Sequence, residues 1–285
     1  WIDVMSEVAF CTMDLEDRGR PDLSHRFLNA YLERTGDYEC LAVLPYYLVY
    51  RAMVRAKVTG IRLQQAGLDS RERRRLIDEC HGYLDLAERY AREMRPWLAV
   101  THGFSGSGKT TGTTCLVEAC GAIRVRSDVE RKRLFGFEAN ERTGSRVGED
   151  LYTADASQRT YARLARSAEA ALRAGFPVIV DATFLRHDRR TELRELAERL
   201  KTPFRILDFR TPEHVLRERI SARRRSGRDA SEADLAVLAG QIAAHERLTA
   251  EETAAAIAVD TQSPRAADDL VEALRRLESP GERPA

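Results

Sequence analysis

The segment from Gly103 to Thr110 constrains the fold of this chain more than any other feature. It reads Gly-Phe-Ser-Gly-Ser-Gly-Lys-Thr, and a short apolar run, 98–102, precedes it directly. The spacing Gly-x-x-x-x-Gly-Lys-Thr between a strand and a helix lets successive backbone N–H groups face one anion at the start of the helix. The pattern therefore predicts a phosphate-binding loop between a buried strand and a helix.

A loop of this kind binds the phosphates of ATP together with Mg²⁺. Lys109 supplies a full positive charge to the β- and γ-phosphates, and the hydroxyl of Thr110 is expected to bind the metal. The residues expected to contact the nucleotide are Gly103, Ser105, Gly106, Ser107, Gly108, Lys109, Thr110 and Thr111.

The apolar pattern changes at about residue 96. Before it, apolar residues recur at three- and four-residue spacing, which predicts a helical domain over 1–95. After it, short aliphatic runs alternate with helical segments, which is typical of a parallel sheet covered by helices. We expect strands at 97–102, 122–126, 177–181, 204–208 and 255–259, with helices at 108–120, 128–135, 150–174, 188–201, 212–225, 231–246 and 265–278. The sequence thus predicts an α/β domain over 96–285 with a five-stranded parallel sheet.

Composition gives no indication of a nucleic-acid or membrane partner by itself. Lys and Arg total 46 against 45 for Asp and Glu, so the net charge of +1 gives no large field to attract nucleic acid or a membrane surface. The longest apolar stretch, 41–50, is far shorter than the ~20 residues of a membrane span. Five cysteines without a C-x-x-C pair favour a reducing compartment, and we expect a cytoplasmic protein.

The segment after the second predicted strand carries candidate acceptor-binding residues. Asp128 is placed to accept a proton from an attacking hydroxyl, and Arg131 to hold an anionic part of the acceptor. The alternative is structural: Ser127 and Glu130 fit a capping box, and an acidic residue here favours the helix dipole. Both interpretations stay open from the sequence.

Asp181 ends the third predicted strand and is followed by Ala-Thr-Phe. A carboxylate at this place is expected to bind Mg²⁺ or its water shell, or the acceptor together with Thr183. An ordinary capping role for Asp181 is the alternative. The helix 212–225 contributes Arg219 and Arg223, four residues apart on one face, which predicts an arginine lid that closes on the transferring phosphate. A solvated charged helix is the alternative there.

At these residues the chain resembles the small P-loop kinases grouped with gluconate kinase, zeta toxin and polynucleotide 5′-kinase, an AAA_33-type group. The similarity covers about 97–278 and depends on 103–110, Ser127-Asp128-x-x-Arg131, the segment 181–184 and the arginine lid that ends at 229–231. The resemblance implies that Asp128 contacts or deprotonates the acceptor hydroxyl. It also implies that Arg219 and Arg223 contact ATP phosphates.

The N-terminal part resembles a different family. Segments 2–10, 13–16 and 50–57 are similar to the C-terminal helices of aminoglycoside-phosphotransferase-like proteins that are fused to a P-loop kinase domain. The resemblance implies that the upstream elements of that fold, including its H-x-D catalytic loop, are absent from this chain. We therefore assign residues 1–95 no catalysis, only a helical support or an acceptor-binding surface.

The combined hypothesis is an ATP- and Mg²⁺-dependent phosphotransferase that moves the γ-phosphate to a hydroxyl of a small molecule. Its expected catalytic residues are Lys109, Asp128, Arg219 and Arg223. The expected acceptor-binding residues are Asp128, Arg131, Asp181 and Thr183, and the expected metal ligands are Thr110 and Asp181. Two alternatives remain. One is a polynucleotide 5′-hydroxyl kinase, whose basic groove would use Arg126, Arg131, Lys132, Arg133, Arg186, Arg189 and Arg190. The other is a nucleotide-dependent switch or ATPase module without an acceptor.

Overall fold

The first part of the chain is helical, as the sequence predicts. The computed structural model describes residues 1–92, 95–139, 141, 153–226 and 234–278. The helices before the first strand are α1 (Val4–Asp17), α2 (Pro21–Thr35), a 3₁₀ helix (Glu39–Ala42), α3 (Leu44–Arg62) and α4 (Ser70–Ala91). We call residues 1–92 the helical region. Within the described part of the chain, no helix combines the length and the apolar character that crossing a membrane requires.

From residue 98 onward the described chain alternates between strands and helices. The strands are β1 (Leu98–His102), β2 (Ile123–Arg126), β3 (Val178–Asp181), β4 (Phe204–Arg210) and β5 (Ala256–Asp260). They form one parallel sheet in the order β2-β3-β1-β4-β5, with the strand that leads into the glycine-rich loop at its centre. The predicted α/β class and the five predicted strands are confirmed.

Helices connect these strands. They are α5 (Lys109–Cys120), α6 (Ser127–Leu134), α7 (Ala154–Arg173), α8 (His187–Arg199), α9 (Glu213–Ser226), α10 (Leu235–Ala243), α11 (Ala250–Ala254) and α12 (Ala266–Glu278). Two differences from the sequence prediction stand out. Helix α10 is shorter than the predicted 231–246, of which 231–233 lie outside the described residues, and the short α11 was not predicted.

The strands are apolar because both faces of the sheet are covered. Along β1, Leu98 and Val100 belong to one cluster of buried apolar residues and Ala99 belongs to another, as the two-residue period of a strand requires. Helices α7 and α8 contribute to the first cluster, and α5 and α12 contribute to the second. Burial on both faces explains the continuous apolar runs from which the strands were predicted.

The helical region packs directly on the sheet domain. Buried residues of α1 to α4 belong to the same apolar cluster as Leu98 and Val100 of β1 and Val178 and Val180 of β3. Polar contacts extend this interface: the Asn29 side chain donates to the carbonyl of Ala122 (3.0 Å) and accepts from the backbone N–H of Arg124 (2.8 Å). Since β2 is an edge strand, the Asn29 amide satisfies backbone groups that have no neighbouring strand. That 1–95 and 96–285 are separate domains stays a proposal.

A buried ion pair connects α8 with α11 and with the segment after β3. Arg190 and Glu252 are almost fully buried and form a two-pronged pair, with Nε–Oε1 at 2.7 Å and Nη2–Oε2 at 3.0 Å. Arg190 Nη1 also donates to the carbonyl of Phe184 (2.9 Å), a buried residue at φ 45°. Burial alone would raise the pKa of Glu252, but hydrogen bonds from Arg190, the Thr249 backbone and His187 outweigh it and lower the pKa to about 2.

We expect Glu252→Gln to lower the free energy of unfolding by about 3–5 kcal/mol, because it leaves the buried Arg190 charge uncompensated. Urea unfolding followed by circular dichroism measures this loss. Neighbouring Glu251 provides a matched control, since its side chain is 80% exposed in its pair with Arg194. Glu251→Gln should cost no more than about 1 kcal/mol.

The pH dependence gives a second readout of the same pair. A lowered native pKa stabilises the folded state at pH values above the unfolded pKa, and this stabilisation is lost as pH falls towards the native pKa. The difference between the native protein and Glu252→Gln should therefore narrow as pH falls from 4.5 towards about 2. Equal costs for the two variants at neutral pH would contradict the assignment.

Candidate active site

The predicted phosphate loop lies at the carboxyl end of the central strand. Gly103 follows β1 at φ 144°, and a Cβ built there would lie 2.9 Å from the carbonyl oxygen of Phe209. Gly108 is the N-cap of α5 at φ 87°. Both positions require glycine, because an L-residue would be strained at these φ values and would collide with backbone at the first. The turn brings the chain from the end of β1 into the start of α5.

The ammonium group of Lys109 lies inside the curl of the loop. Its Nζ donates to the carbonyls of Gly103 (2.8 Å) and Phe104 (2.7 Å). The positive charge is therefore held at the start of α5, where the helix dipole also favours an anion. This arrangement concentrates positive potential at the place where the phosphates of a nucleotide are expected.

Thr110 and Asp181 meet beside the loop. The Thr110 hydroxyl donates to Oδ2 of Asp181 at 2.8 Å, and Asp181 is 5% exposed at the end of β3. A hydroxyl and a carboxylate are hard oxygen donors of the kind that Mg²⁺ uses when most of its other ligands are phosphate oxygens and water. The two side chains therefore fit the metal site that the sequence predicts.

Helix α6 carries the predicted acceptor residues into the same cleft. Asp128 Oδ1 lies 3.5 Å from Arg131 Nη1, three residues further along the helix. The capping box considered from the sequence is not formed, because α6 begins at Ser127 and its N-cap is Arg126, which makes no side-chain capping bond. Glu130 is instead fully buried on the other side of α6.

One of the two candidate arginines of the predicted lid helix, Arg219, lies next to the loop. Arg219 Nη1 is 3.2 Å from the Thr261 hydroxyl, and a Cβ at Gly108 would lie 3.4 Å from the same nitrogen. The side chain of Arg223 and the end of the predicted lid, 227–233, lie outside the described residues. Arg217, on the exposed side of α9, pairs with Glu213 instead.

One cleft of about 280 Å³ brings these side chains together. Of the residues predicted for the site, its lining includes Ser105, Gly106, Gly108, Lys109, Thr110, Thr111, Asp128, Arg131, Asp181, Thr183 and Arg219. Gly103 and Ser107 are parts of the loop but do not line the cleft. The cleft is also lined by Arg126, Ser127, Tyr161, Ala182, Val237 and Gln241. From the sequence, Arg126 was expected only in the groove of the polynucleotide kinase alternative, Ser127 and Ala182 belonged only to motifs, and the other three were not marked.

Two of these residues, Gln241 and Tyr161, are held in place by contacts with other parts of the chain. Gln241 of α10 accepts from the backbone N–H of Ser105 (2.9 Å) and donates to its hydroxyl (3.0 Å), so α10 is fastened to the loop. Tyr161 of α7 packs edge-on against Phe184 and lies under the guanidinium of Arg189. No sequence motif marks either residue, because each reaches the cleft from an ordinary helix.

A buried polar chain supports the loop from below. His102 Nδ1 lies 2.8 Å from Asp208 Oδ1, and its Nε2 lies 3.3 Å from Nε2 of His245. Burial would raise the pKa of Asp208, but hydrogen bonds from His102 and Arg210 outweigh it and lower the pKa. Burial, followed by the nearby His102, lowers the pKa of His245. His245 is therefore neutral at neutral pH, and the chain holds the end of β1 in place.

Comparison with known proteins agrees with this architecture. The AAA domain family AAA_33 matches residues 98–248, more than half of the chain. The uncharacterized protein Rv2004c of Mycobacterium tuberculosis strain H37Rv is 30% identical over 243 residues, which cover 85% of this chain and 47% of that protein. The uncharacterized protein Mb2027c of Mycobacterium bovis matches with the same identity and coverage. The chain thus spans about half the length of the curated relatives it matches.

Among solved structures, one described as a putative kinase from Chloroflexus aurantiacus superposes with a TM-score of 0.50 at 19% identity. The superposition covers 64% of this chain and 98% of that one, and at this identity it supports the fold alone. A gluconokinase from Sinorhizobium meliloti 1021 superposes with a TM-score of 0.46 at 24% identity, over 65% of this chain and 95% of that one. From the match over 98–248, the chain belongs to the AAA domain family AAA_33.

Proposed function

We propose that the protein is an ATP- and Mg²⁺-dependent phosphotransferase that moves the γ-phosphate of ATP to a hydroxyl of a small molecule. The observation that carries the proposal is that two sets of residues share one cleft. Lys109 and the Thr110–Asp181 pair lie on the nucleotide side, and Asp128 with Arg131 lies on the other side. A nucleotide switch needs only the first set.

The reaction follows from this placement. The loop N–H groups and Lys109 bind the β- and γ-phosphates, and Mg²⁺, when bound at Thr110 and Asp181, supplies neutralisation of phosphate charge. The acceptor hydroxyl oxygen forms a bond to the γ-phosphorus as the bond to the bridging oxygen breaks and ADP leaves. The hydroxyl proton passes to the carboxylate of Asp128. Arg219 stabilises charge on the transferring group.

The acceptor side of the cleft favours a small molecule with an anionic group. Arg126 and Arg131 both line the cleft, and their side chains are mostly buried, at 15% and 13% exposure. Partly buried guanidinium groups bind carboxylates and phosphates through their paired N–H donors. An anionic acceptor would therefore be oriented by the two arginines while its hydroxyl meets Asp128.

Several of the basic side chains expected in the groove of a polynucleotide kinase make contacts inside the protein instead. Lys132 Nζ donates to the carbonyls of Ala139 and Glu141, and Arg190 is buried against Glu252. Arg133 bonds Glu130 and the carbonyl of Glu33. These side chains are held by internal contacts and do not add to a basic groove. Because nucleic-acid binding depends on many phosphate contacts, the remaining basic residues favour a small acceptor over a nucleic acid.

Transfer from ATP labelled in its γ-phosphate tests the proposal most directly. The protein is incubated with Mg²⁺ and, separately, with hydroxyl compounds that carry a carboxylate or phosphate, with aminoglycosides, and with 5′-hydroxyl oligonucleotides. We expect label in the anionic small molecules, because a compact acceptor can place its anionic group at Arg126 and Arg131 while its hydroxyl reaches Asp128. Label in the oligonucleotides alone would establish the end-repair alternative instead.

The control for this experiment is hydrolysis without an acceptor. If no pool is labelled, and ATP hydrolysis proceeds equally in the native protein and in Asp128→Ala, the phosphotransferase proposal is wrong and the switch or ATPase alternative holds. A loss of nucleotide binding in Asp128→Ala would also count against the proposed role, because this residue lies on the acceptor side.

A further inference from the structure

A carboxylate from the helical region contacts an arginine that lines the candidate cleft. Glu33, near the end of α2, places Oε1 3.3 Å from Arg124 Nη2 and Oε2 3.5 Å from Arg126 Nη1. All three side chains are largely buried, with Glu33 at 20% exposure. Glu33 is therefore shared between two arginines that lie on the same face of β2, because residues two apart on a strand point the same way.

Each of the two arginines touches the candidate site. Arg126 lines the cleft, on the side that the proposed function gives to the acceptor. Arg124 Nη1 donates to the carbonyl of Thr110 at 2.9 Å and lies 3.1 Å from the Thr114 hydroxyl, at the start of α5. The charge of Glu33 offsets the repulsion between the neighbouring guanidinium groups in a poorly solvated place, where such repulsion is costly.

Helix α6 is fixed from the same side. Asp128 and Arg131 face the cleft, whereas Glu130 and Arg133 face the helical region. Glu130 accepts from the Tyr38 hydroxyl (3.3 Å) and from Arg163 (3.0 Å), and Arg133 donates to the carbonyl of Glu33. The segment 33–38 of the helical region thus contacts the back of the helix that presents the acceptor residues.

We infer that Glu33 is a positioning residue of the phosphate-transfer site. Its carboxylate holds Arg126 in the acceptor side of the cleft and Arg124 against the carbonyl of Thr110. The helical region then takes part in the chemistry through residues that never touch substrate, which goes beyond a support or an acceptor-binding surface. The inference rests on the proposed phosphotransferase function for its effect on rate, but not for its effect on the position of Arg126.

Glu33→Gln tests the effect on rate. We expect ATP turnover to fall about 10-fold, because a misplaced group around a reacting phosphate lowers the rate without removing binding. The dissociation constant of a fluorescent ADP analogue should stay the same or decrease, since the substitution removes negative charge near an anion site. A lower kcat with retained nucleotide affinity is the pattern that loss of folding alone does not produce.

A double variant tests whether Glu33 acts through Arg126. In an Arg126→Gln background, Glu33→Gln should cause a smaller loss of turnover than in the native protein, because one of the two arginines that it positions is gone. The matched control is Glu118→Gln, which breaks the more exposed Arg26–Glu118 pair between α2 and α5 and should leave turnover unchanged. Additive losses in the double variant, or an equal loss in the control, would overturn the inference.

A measurement without turnover separates this inference from the phosphotransferase proposal. Phenylglyoxal modifies accessible arginines, and mass spectrometry of peptides reports the modification rate at Arg126. We expect a faster rate at Arg126 in Glu33→Gln and an unchanged rate in Glu118→Gln. If Asp128→Ala shows that the phosphotransferase proposal fails, this rate still decides: an unchanged rate at Arg126 overturns the inference, and a faster one supports it.

Discussion

Replacing Lys109 with alanine is expected to reduce ATP turnover by roughly 10²- to 10³-fold, the loss typical of removing one donor from developing negative charge. The ammonium group lies 2.8 Å from the carbonyl of Gly103 and 2.7 Å from that of Phe104, within the curl where the proposed function places the phosphates. Without it, the loop retains its N–H groups but loses the only full charge that it contributes itself. Initial rates of ADP formation at saturating Mg²⁺ measure the loss.

The control for this variant is Lys57→Ala, because Lys57 is an exposed lysine on α3, outside the cleft. Turnover in Lys57→Ala should equal that of the native protein, and thermal unfolding of both variants should stay close to the native midpoint. Native turnover in Lys109→Ala would mean that the loop does not hold the reacting phosphates. The result leaves the acceptor side untested, since a kinase and a nucleotide switch both need this lysine.

Local patterns predicted the sheet and the position of the glycine-rich loop well. The five strands were visible because burial on both faces demands continuous apolar residues, as in Leu98 to Val100. The loop was visible because its backbone geometry admits few residue types, glycine above all at Gly103 and Gly108. Structure that depends on residues close together in the chain can therefore be predicted from the sequence.

Contacts between distant segments were not predictable in the same way. Gln241 lies 136 residues from Ser105, with which it forms two hydrogen bonds. Glu33 approaches Arg124 across 91 residues. Neither side chain belongs to a local pattern, because a glutamine or a glutamate on a helix most often faces solvent. The contacts of such side chains depend on how the helices pack in the folded protein. The spacing of apolar residues does not determine the packing angle, so these contacts could not be predicted from it.

Local motifs can also lose to tertiary contacts. The sequence Ser-x-x-Glu at 127–130 fits a capping box, but Glu130 is fully buried among Tyr38, Arg133 and Arg163. Several charge-assisted contacts in a buried place outweigh one capping bond at a helix end. The same competition removes Arg133 from the basic groove that a polynucleotide kinase would need.

The second of the two largest expected effects concerns Asp128, on the proposed acceptor side of the cleft. We expect Asp128→Asn to reduce phosphate transfer by roughly 10²- to 10⁴-fold, the contribution typical of a positioned general base. Asparagine keeps the size of the side chain and one oxygen, but its amide does not accept the hydroxyl proton. Transfer of labelled γ-phosphate to the acceptor found by screening measures the effect.

Nucleotide binding separates this role from that of the loop. Asp128 lies on α6, beside Arg131 at 3.5 Å, whereas Lys109 begins α5. The affinity of Asp128→Asn for ADP should therefore equal that of the native protein, while Lys109→Ala loses affinity as well as rate. Asp155→Asn is the matched control, since its carboxylate is 81% exposed in a pair with Arg159 on α7. Native transfer rates in Asp128→Asn would remove the general base from the mechanism and leave the acceptor hydroxyl to be deprotonated by another group.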